Sequence, residues 1–185
     1  IHLKNDSKEI VFMVMFRTIP ESSSGVAHIL EHTTLCGSEN YKVRDPFFMM
    51  LRRSMSTFMN AFTASDWTAY PFATQNKKDF FNLLDVYLDA VYFPILAEED
   101  FKQEGHRIEF SKYDKSNSPL EYKGVVFNEM KGSMSNIQSI TWQALTKSLF
   151  PDLTYRHNSG GDPETILELT HDYLKGFHKK FYHPS

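Results

Sequence analysis

The interpretation of the chain starts from the stretch Gly25-Val26-Ala27-His28-Ile29-Leu30-Glu31-His32-Thr33-Thr34-Leu35. Its apolar residues have the spacing of a helix, and the serines at 22–24 are residue types that cap helix N-termini. Residues three and four positions apart are neighbours on a helix surface. We therefore expect His28, Glu31 and His32 to lie on one face of this helix.

These three side chains together indicate a metal site. Two imidazoles one helical turn apart can bind a single Zn²⁺, and a carboxylate beside them can reach a water molecule on the metal. The order His-x-x-Glu-His inverts the common His-Glu-x-x-His arrangement of zinc proteases. An amphipathic helix with two surface histidines is the alternative. A catalytic zinc ion also needs a third protein ligand, which another part of the chain must supply.

Composition limits the other function classes. The 185 residues are 41% hydrophobic and 15% aromatic, which is enough to build a core and excludes general disorder. A net charge of −3 without a cationic cluster argues against nucleic-acid binding. No apolar run is long enough to cross a membrane, so no membrane contact is expected. Cys36 is the only cysteine, so no internal disulfide can form.

The remaining pattern alternates strand-like and helix-like segments. Residues 10–16 form an apolar run that predicts a strand buried on both faces. Residues 56–63 and 67–74 predict an antiparallel hairpin with a turn at 64–66, in which Pro71 marks a bulge or an unpaired position. Helical patterns cover residues 46–55, 77–93, 98–106, 120–134, 135–149 and 170–181, and residues 158–163 form a sharp loop leading into a helical turn. The first residue is not Met and the last four give a turn signal, so we expect both ends to lie inside a longer polypeptide.

Several downstream side chains could supply the third ligand. Spacing alone does not choose among Asp66, Glu104, His106, Glu109, Glu121 and Glu129. Glu129 is attractive because it follows the apolar residues 125–127, and a carboxylate beside such a patch is costly to bury unless it is paired or bound to a metal. A surface glutamate on an amphipathic helix is the alternative at this position.

Seven stretches of the chain resemble the pitrilysin-type inverted zinc metalloproteases, and most closely the branch that degrades presequences in mitochondria and chloroplasts. They are HILEHTTLCGS at 28–38, VRDPFF at 43–48, STFMNAFTASD at 56–66, YPF at 70–72, GVVFNEMKG at 124–132, SGGDP at 159–163 and HPS at 183–185. The resemblance extends over nearly the whole chain.

The resemblance implies roles for particular residues. It makes His28, His32 and Glu129 zinc ligands and Glu31 the general base, with one Zn²⁺ per chain. Glu129 lies 97 residues after His32, a separation that suits the presequence-degrading branch better than the insulysin branch. Insulysins carry a second acid seven residues before the ligand glutamate. Tyr122 stands there in this chain, so no role of that acid in supporting the zinc ligands carries over to this position.

The resemblance also implies a substrate strand. In this family an extended peptide adds to the edge of a sheet near the zinc ion. The stretch Asn60-Ala61-Phe62 matches that edge strand. An ordinary sheet strand without a binding role is the alternative. Cys36, although close to the motif, is interpreted as a small packing residue.

The fold, activity and setting follow in the same way. The resemblance implies an α+β fold, in which a mixed and mainly antiparallel sheet is packed by several helices and the inverted zinc motif lies on one of them. Residues 1–185 would be most of the first, zinc-binding domain of a larger multidomain peptidase, inactive without the domains that close its chamber. The expected activity is endopeptidase hydrolysis of short unstructured peptides, such as cleaved presequences, in the mitochondrial matrix. The plastid stroma and a bacterial cell are the alternative locations.

Three other readings of the motif remain. S-ribosylhomocysteine lyase shares the His-x-x-Glu-His order but needs one cysteine as a ligand and another as a catalyst, and this chain has only Cys36. Catalytically incompetent relatives, such as the core subunits of respiratory complexes, lose ligands that this chain retains. A purely structural zinc site is normally closed by four protein ligands.

Overall fold

The structure is a computed structural model that describes residues 1–112 and 114–184; Tyr113 and Ser185, the last residue of the 183–185 motif, lie outside the described residues. In chain order its elements are β1 (Ile10–Phe16), α1 (Val26–Thr34), α2 (Pro46–Arg53), β2 (Ser56–Met59), β3 (Phe62–Thr63), β4 (Thr68–Thr74), α3 (Lys77–Tyr92), α4 (Glu98–Glu104), β5 (Arg107–Phe110), β6 (Leu120–Lys123), α5 (Val125–Ser133), α6 (Ile137–Leu149), α7 (Pro163–Ile166) and α8 (His171–Phe181). A 3₁₀ turn at Thr154–Arg156 separates α6 from α7.

The larger sheet is antiparallel and centred on β4. β1 pairs with β4 along its whole length on one side, and β2 and β3 pair with β4 on the other. The turn between β3 and β4 is closed by a hydrogen bond from the Ala64 N–H to the Trp67 carbonyl oxygen (2.8 Å). The predicted hairpin is therefore confirmed, as is the α+β class with an antiparallel sheet and packed helices.

Pro71 lies in β4, opposite the gap between β2 and β3, and interrupts the pairing of β4 on that side. Its carbonyl oxygen accepts a hydrogen bond from the Asn60 N–H (3.2 Å), but proline has no N–H to donate in return. Residues 60–61, which lie opposite, belong to neither strand. The predicted irregularity at Pro71 is confirmed, and it falls at the stretch expected to bind a peptide.

The prediction that β1 is buried on both faces is wrong for the described residues. Val11, Met13 and Met15 are 55–66% exposed, whereas Phe12, Val14 and Phe16 pack into the core. A strand is buried on both faces only when a layer covers each of them. The described residues cover one face of β1 only.

The helical pattern at 120–134 is partly wrong. Residues 120–123 instead form the antiparallel pair β5–β6 with residues 107–110, and the helix α5 begins at Val125. Long-range pairing overrides local propensity here, and Lys123 Nζ contacts Glu109 Oε1 across the pair at 2.8 Å. The chain turns into α5 at Gly124. Only glycine fits at this position, because a Cβ on it would lie 1.9 Å from the Gly105 carbonyl oxygen.

The other helices lie where the patterns predict, with their ends shifted by up to two residues. The predicted cap of α1 is wrong. The N-cap is Gly25 in the left-handed region at φ 69°, and no side chain caps the helix. Ser22 instead donates its hydroxyl to Ser24 Oγ (3.1 Å).

The core lies between the larger sheet and the helices α1, α3 and α8. At its centre the buried Tyr70 hydroxyl lies 3.0 Å from Thr34 Oγ1 and 2.9 Å from the Tyr182 hydroxyl. The ring of Tyr182 in turn stacks on Phe16 with centroids 4.3 Å apart. These contacts fix α1 against the sheet. Over residues 1–112 and 114–184, every helix is too short or too polar to cross a lipid bilayer.

Candidate metal centre

Helix α1 is held in one orientation by its apolar face. Val26, Ala27, Ile29 and Leu30 are each no more than 1% exposed. Burying these side chains directs the opposite face of α1 away from the core, and His28 and His32 remain partly exposed there. Their ring centroids lie 5.0 Å apart, as expected for residues one turn apart on a helix.

Helix α5 brings Glu129 to these histidines. Glu129 Oε2 lies 3.7 Å from His28 Nε2, and one ligand atom from each of His28, His32 and Glu129 lies within 4.8 Å of the other two. No other group of three or more His, Cys, Asp or Glu residues in the described parts of the chain has such geometry. Two imidazole nitrogens and one carboxylate oxygen fit the three-ligand set of a catalytic zinc ion.

The other candidate ligands are engaged elsewhere. Asp66 Oδ2 accepts a hydrogen bond from the Tyr155 hydroxyl (2.9 Å). His106 Nε2 lies 2.9 Å from the Leu169 carbonyl oxygen. Glu109 and Glu121 both pair with Lys123. Of the six residues that spacing left open, only Glu129 places a ligand atom near both histidines of α1, whereas Glu104 contacts His32 alone.

Glu104 contacts the centre in a different way. Its Oε2 atom lies 3.0 Å from His32 Nδ1. A carboxylate accepts and does not donate, so the proton of the neutral ring is on Nδ1 and the lone pair on Nε2. A hydrogen bond of this kind orients a metal-binding histidine. The hydrogen bond from Gln103 Nε2 to Glu104 Oε1 (2.9 Å) holds the carboxylate in place.

Sequence reasoning missed this role of Glu104. The acid was sought seven residues before Glu129, where Tyr122 lies in β6. The β5–β6 pair separates Glu104 from α5 along the chain, while α4 and α5 pack together in the fold. Only the recognition of residues 107–123 as a hairpin, which allows α4 and α5 to pack together, would have placed Glu104 correctly.

The electrostatics of the His32–Glu104 pair favour a charged carboxylate. Burial lowers the pKa of His32, but the hydrogen bond to Glu104 and the negative charges of Glu31 and Glu104 raise this pKa by more, so it lies above the usual value. Burial raises the pKa of Glu104, and the hydrogen bonds from His32 and Gln103 lower it below the usual value. Glu104 is therefore ionised at neutral pH.

Glu31 lies beside an open cavity of about 570 Å³. Its side chain is largely buried, and with His32 it forms one wall of this cavity. The other walls are mainly apolar. They include Leu35, Phe47, Phe48, Leu51, Met59 and Val125.

The expected peptide-binding stretch is only partly at this cavity. Asn60 and Ala61 line it, and the Ala61 N–H donates to Asn60 Oδ1 (3.0 Å). Among the described residues, β2 and β3 pair with no strand on their outer side, so they form an edge of the sheet. Phe62 does not line the cavity; its ring is exposed and stacks on Phe58 with centroids 6.3 Å apart.

Cys36 is buried and does not join the metal cluster. Burial and the nearby Glu104 charge raise the pKa of its thiol well above the usual value. A thiol that stays protonated is a poor nucleophile and a poor metal ligand. Cys36 therefore has the surroundings of a packing residue. The lyase alternative, which needs a reactive cysteine, is disfavoured.

Comparison with known families agrees with this geometry. Residues 17–141 match the model of the family described as Insulinase (Peptidase family M16). The chain belongs to peptidase family M16. M16 enzymes are metallopeptidases, so membership implies a metal ion.

Curated relatives within M16 are similar over the whole chain. The protein named "Presequence protease, mitochondrial" is 57% identical over 185 residues in Xenopus tropicalis and 58% identical in Mus musculus. The relative of the same name in Schizosaccharomyces pombe is 52% identical over 185 residues. Each alignment covers 100% of this chain but only 18–19% of the relative, so the chain spans about a fifth of their length.

Solved structures show the same M16 fold. A protease from Helicobacter pylori matches with a TM-score of 0.76 at 19% identity, over 96% of this chain and 39% of that one. Pitrilysin matches with a TM-score of 0.68 at 21% identity, over 96% of this chain and 18% of that one. The fold expected from the sequence is therefore confirmed.

Proposed function

We propose that this chain is the metal-binding, catalytic part of a zinc metalloendopeptidase that hydrolyses short unstructured peptides, such as cleaved targeting presequences. The observation that carries the proposal is the cluster of His28, His32 and Glu129, with Glu31 in the wall of the adjoining cavity. Two histidines and one carboxylate leave a coordination position open, as a catalytic zinc ion requires.

The proposed chemistry divides among these residues. Bound zinc would supply a Lewis acid that polarises the scissile carbonyl group and acidifies a water molecule. His28 and His32 would hold it through their Nε2 atoms, since Nδ1 of each ring donates to Gly160 or Glu104. Glu31 would accept a proton from the water and return it to the leaving amine, as a general base and then a general acid.

The substrate would bind as an added strand. The sheet edge at residues 60–61 adjoins the same cavity as Glu31 and His32. Only an extended peptide can pair with a strand edge, because a folded protein has already paired its backbone groups. The Ala61 N–H would exchange its hydrogen bond with Asn60 for one with the peptide. The apolar walls suit an apolar side chain of the substrate, and Phe62 is proposed to bind farther along the same strand.

The wider setting is inferred from the relatives. They are about five times as long as the chain, so we infer that residues 1–185 are most of the first domain of a multidomain peptidase. Further domains would close over the site and exclude water. The name that the relatives share favours the mitochondrial matrix over the plastid or a bacterial cell. No nucleic-acid or membrane partner is proposed.

The test uses the full-length protein, an unstructured peptide of a few tens of residues and a stable folded domain. We expect the peptide to be cleaved, the folded domain to remain intact, and one zinc ion to be bound. Glu31→Gln keeps the size of the side chain but removes its basicity, so zinc should stay and cleavage should fall by about 10²–10⁴-fold.

Other outcomes would contradict specific parts of the proposal. Cleavage by Glu31→Gln at the wild-type rate would show that Glu31 is not the base. Efficient digestion of the folded domain would show that strand addition is not required. A zinc-loaded wild-type protein that cleaves no peptide would support the alternative, a catalytically incompetent relative.

A further inference from the structure

The loop at residues 158–162 contacts both helices that supply the metal cluster. The Gly160 carbonyl oxygen lies 3.0 Å from His28 Nδ1, on α1. The Cα of Gly160 faces Met130, which follows Glu129 on α5, and a Cβ there would lie 2.8 Å from Met130 Sδ. A single loop residue therefore touches one ligand and the neighbour of another.

The loop reaches His28 through a contact of three glycines, Gly25, Gly160 and Gly161, which we call the glycine junction. Gly25 is the N-cap of α1, and a Cβ on it would lie 2.8 Å from the Gly160 carbonyl oxygen and 3.0 Å from the Gly161 Cα. Gly161 has a φ of +105°, and a Cβ on it would lie 2.9 Å from the Gly25 Cα. A Cβ on Gly25 would meet only backbone atoms, so no side chain can move to make room for it, and a Cβ on Gly161 would also lie 2.7 Å from the Ile166 side chain.

Hydrogen bonds hold the two sides of the glycine junction together. The Ser23 carbonyl oxygen accepts from the Asp162 N–H (2.8 Å), and Ser23 Oγ accepts from the Asn158 N–H (3.1 Å). The buried Asn158 side chain donates to the Gly161 carbonyl oxygen (3.3 Å) and to Asp162 Oδ1 (3.1 Å). The Gly160 carbonyl group is thus fixed relative to the start of α1.

We propose that the glycine junction positions the metal centre, with Gly160 acting through His28. A carbonyl oxygen only accepts, so the neutral His28 ring must carry its proton on Nδ1 and its lone pair on Nε2. Nε2 is the atom that lies 3.7 Å from Glu129 Oε2. The inference rests on the zinc site proposed above. It assigns to Gly160 the same role towards His28 that Glu104 has towards His32, which is to accept the hydrogen bond from Nδ1.

The first experiment compares two Gly→Ala variants of the intact polypeptide. Gly25→Ala places a methyl group against the Gly160 carbonyl oxygen, whereas Gly176→Ala places one on α8 with nothing within 4 Å. Zinc affinity is measured by competition with a chromophoric chelator. Gly25→Ala should bind zinc about 10–100-fold more weakly, the usual effect of losing a partner of a ligand histidine. Gly176→Ala should match the wild type, and equal affinities for the two variants would overturn the proposal.

The second experiment reads the His28 ring directly, without metal. In the metal-free polypeptide labelled with ¹⁵N-histidine, the nitrogen shifts of neutral His28 should report the proton on Nδ1. Gly25→Ala should shift this ring towards the tautomer with the proton on Nε2. A wild-type ring protonated mainly on Nε2 would overturn the proposal, and this readout does not depend on whether zinc binds.

A further variant keeps the proposal testable if Gly25→Ala does not fold. If Gly25→Ala does not fold, Ser23→Ala replaces it, since it removes only the Oγ acceptor of the Asn158 N–H. It should weaken zinc binding by a few fold, and an affinity equal to that of Gly176→Ala would overturn the proposal. If the wild type binds no zinc, the proposed function fails, and the tautomer of His28 still decides whether the glycine junction sets its ring.

Discussion

Helices α1 and α6 face the rest of the chain in opposite ways. Seven of the nine residues of α1 are buried, and its apolar side chains point into the core. None of the thirteen residues of α6 is buried. Ile137, Trp142 and Leu149 on α6 are 61–77% exposed, whereas its polar residues Ser139, Gln143 and Thr146 are only partly exposed.

The difference shows what each helix depends on. Apolar burial is the main force that fixes a helix in a fold. The described residues supply that force for α1, and hydrogen bonds to Gly160 and Glu104 then orient its two histidines. The described residues bury little apolar surface of α6. The metal centre is therefore built on the best-packed helix of the pair.

The largest contrast in stability is expected from matched Leu→Ala changes. Leu30 on α1 is 0% exposed and Leu149 on α6 is 61% exposed. Leu30→Ala should lower the free energy of unfolding by about 2–5 kcal/mol, because it leaves a cavity in the core. Leu149→Ala should change it by about 0.5 kcal/mol or less. Denaturant unfolding measures both, and similar losses would contradict the comparison of the two helices.

Removing a ligand from α1 should abolish most metal binding. His28→Ala leaves one histidine and Glu129, and zinc affinity should fall by more than the roughly 100-fold expected for losing a hydrogen-bond partner of a ligand. The exposed His2 offers a matched control, and His2→Ala should leave the affinity unchanged. Elemental analysis after gel filtration tests both variants. Stoichiometric zinc in His28→Ala would remove His28 from the ligand set.

Weakening the contact between α1 and α4 should lower zinc affinity by less. Glu104→Gln removes the charge that His32 Nδ1 donates to, and zinc affinity should fall by about tenfold while the fold is kept. Glu99→Gln changes an exposed glutamate of the same helix and should have no effect. Chelator competition compares the two variants, and equal affinities would mean that Glu104 does not support the site.

The smallest effect concerns the loop that follows α1. The buried Asp89 carboxylate accepts hydrogen bonds from the Asn40 N–H (2.9 Å) and Nδ2 (2.7 Å). Burial raises the pKa of Asp89, but the Ser38 hydroxyl, the two Asn40 donors and the Tyr41 N–H lower it below its usual value. The folded state thus favours the ionised form, so the stabilisation is complete above about pH 4–5 and disappears as the pH falls through the lowered pKa.

Asp89→Asn should therefore cost about 1–2 kcal/mol at pH 7 and much less at pH 3. Asp152→Asn, in the exposed loop after α6, should cost little at either pH. Thermal unfolding at the two pH values measures both. A loss in Asp89→Asn that is the same at pH 3 and pH 7 would show that ionised Asp89 does not stabilise the loop.

Much of the fold could be predicted from local patterns. The hairpin, the break at Pro71 and most helices follow from periodicity and from the chemistry of proline. The β5–β6 pair could not be predicted in this way, because residues 120–123 pair with residues 107–110 and a helical pattern runs through Leu120 into α5. The exposure of Val11, Met13 and Met15 was also missed, because a sequence does not say which layers cover a strand.

The sequence by itself determined the candidate chemistry of this protein. His28, Glu31 and His32 share a helix face because residues three and four apart are neighbours on any helix, whatever surrounds it. The family resemblance had already indicated Glu129, but only tertiary structure showed how the rest of the centre comes together. Glu129, Glu104 and Gly160 lie 72 to 132 residues from the histidines that they contact or approach. Their positions depend on how α4, α5 and the glycine junction pack, and no local spacing encodes that packing.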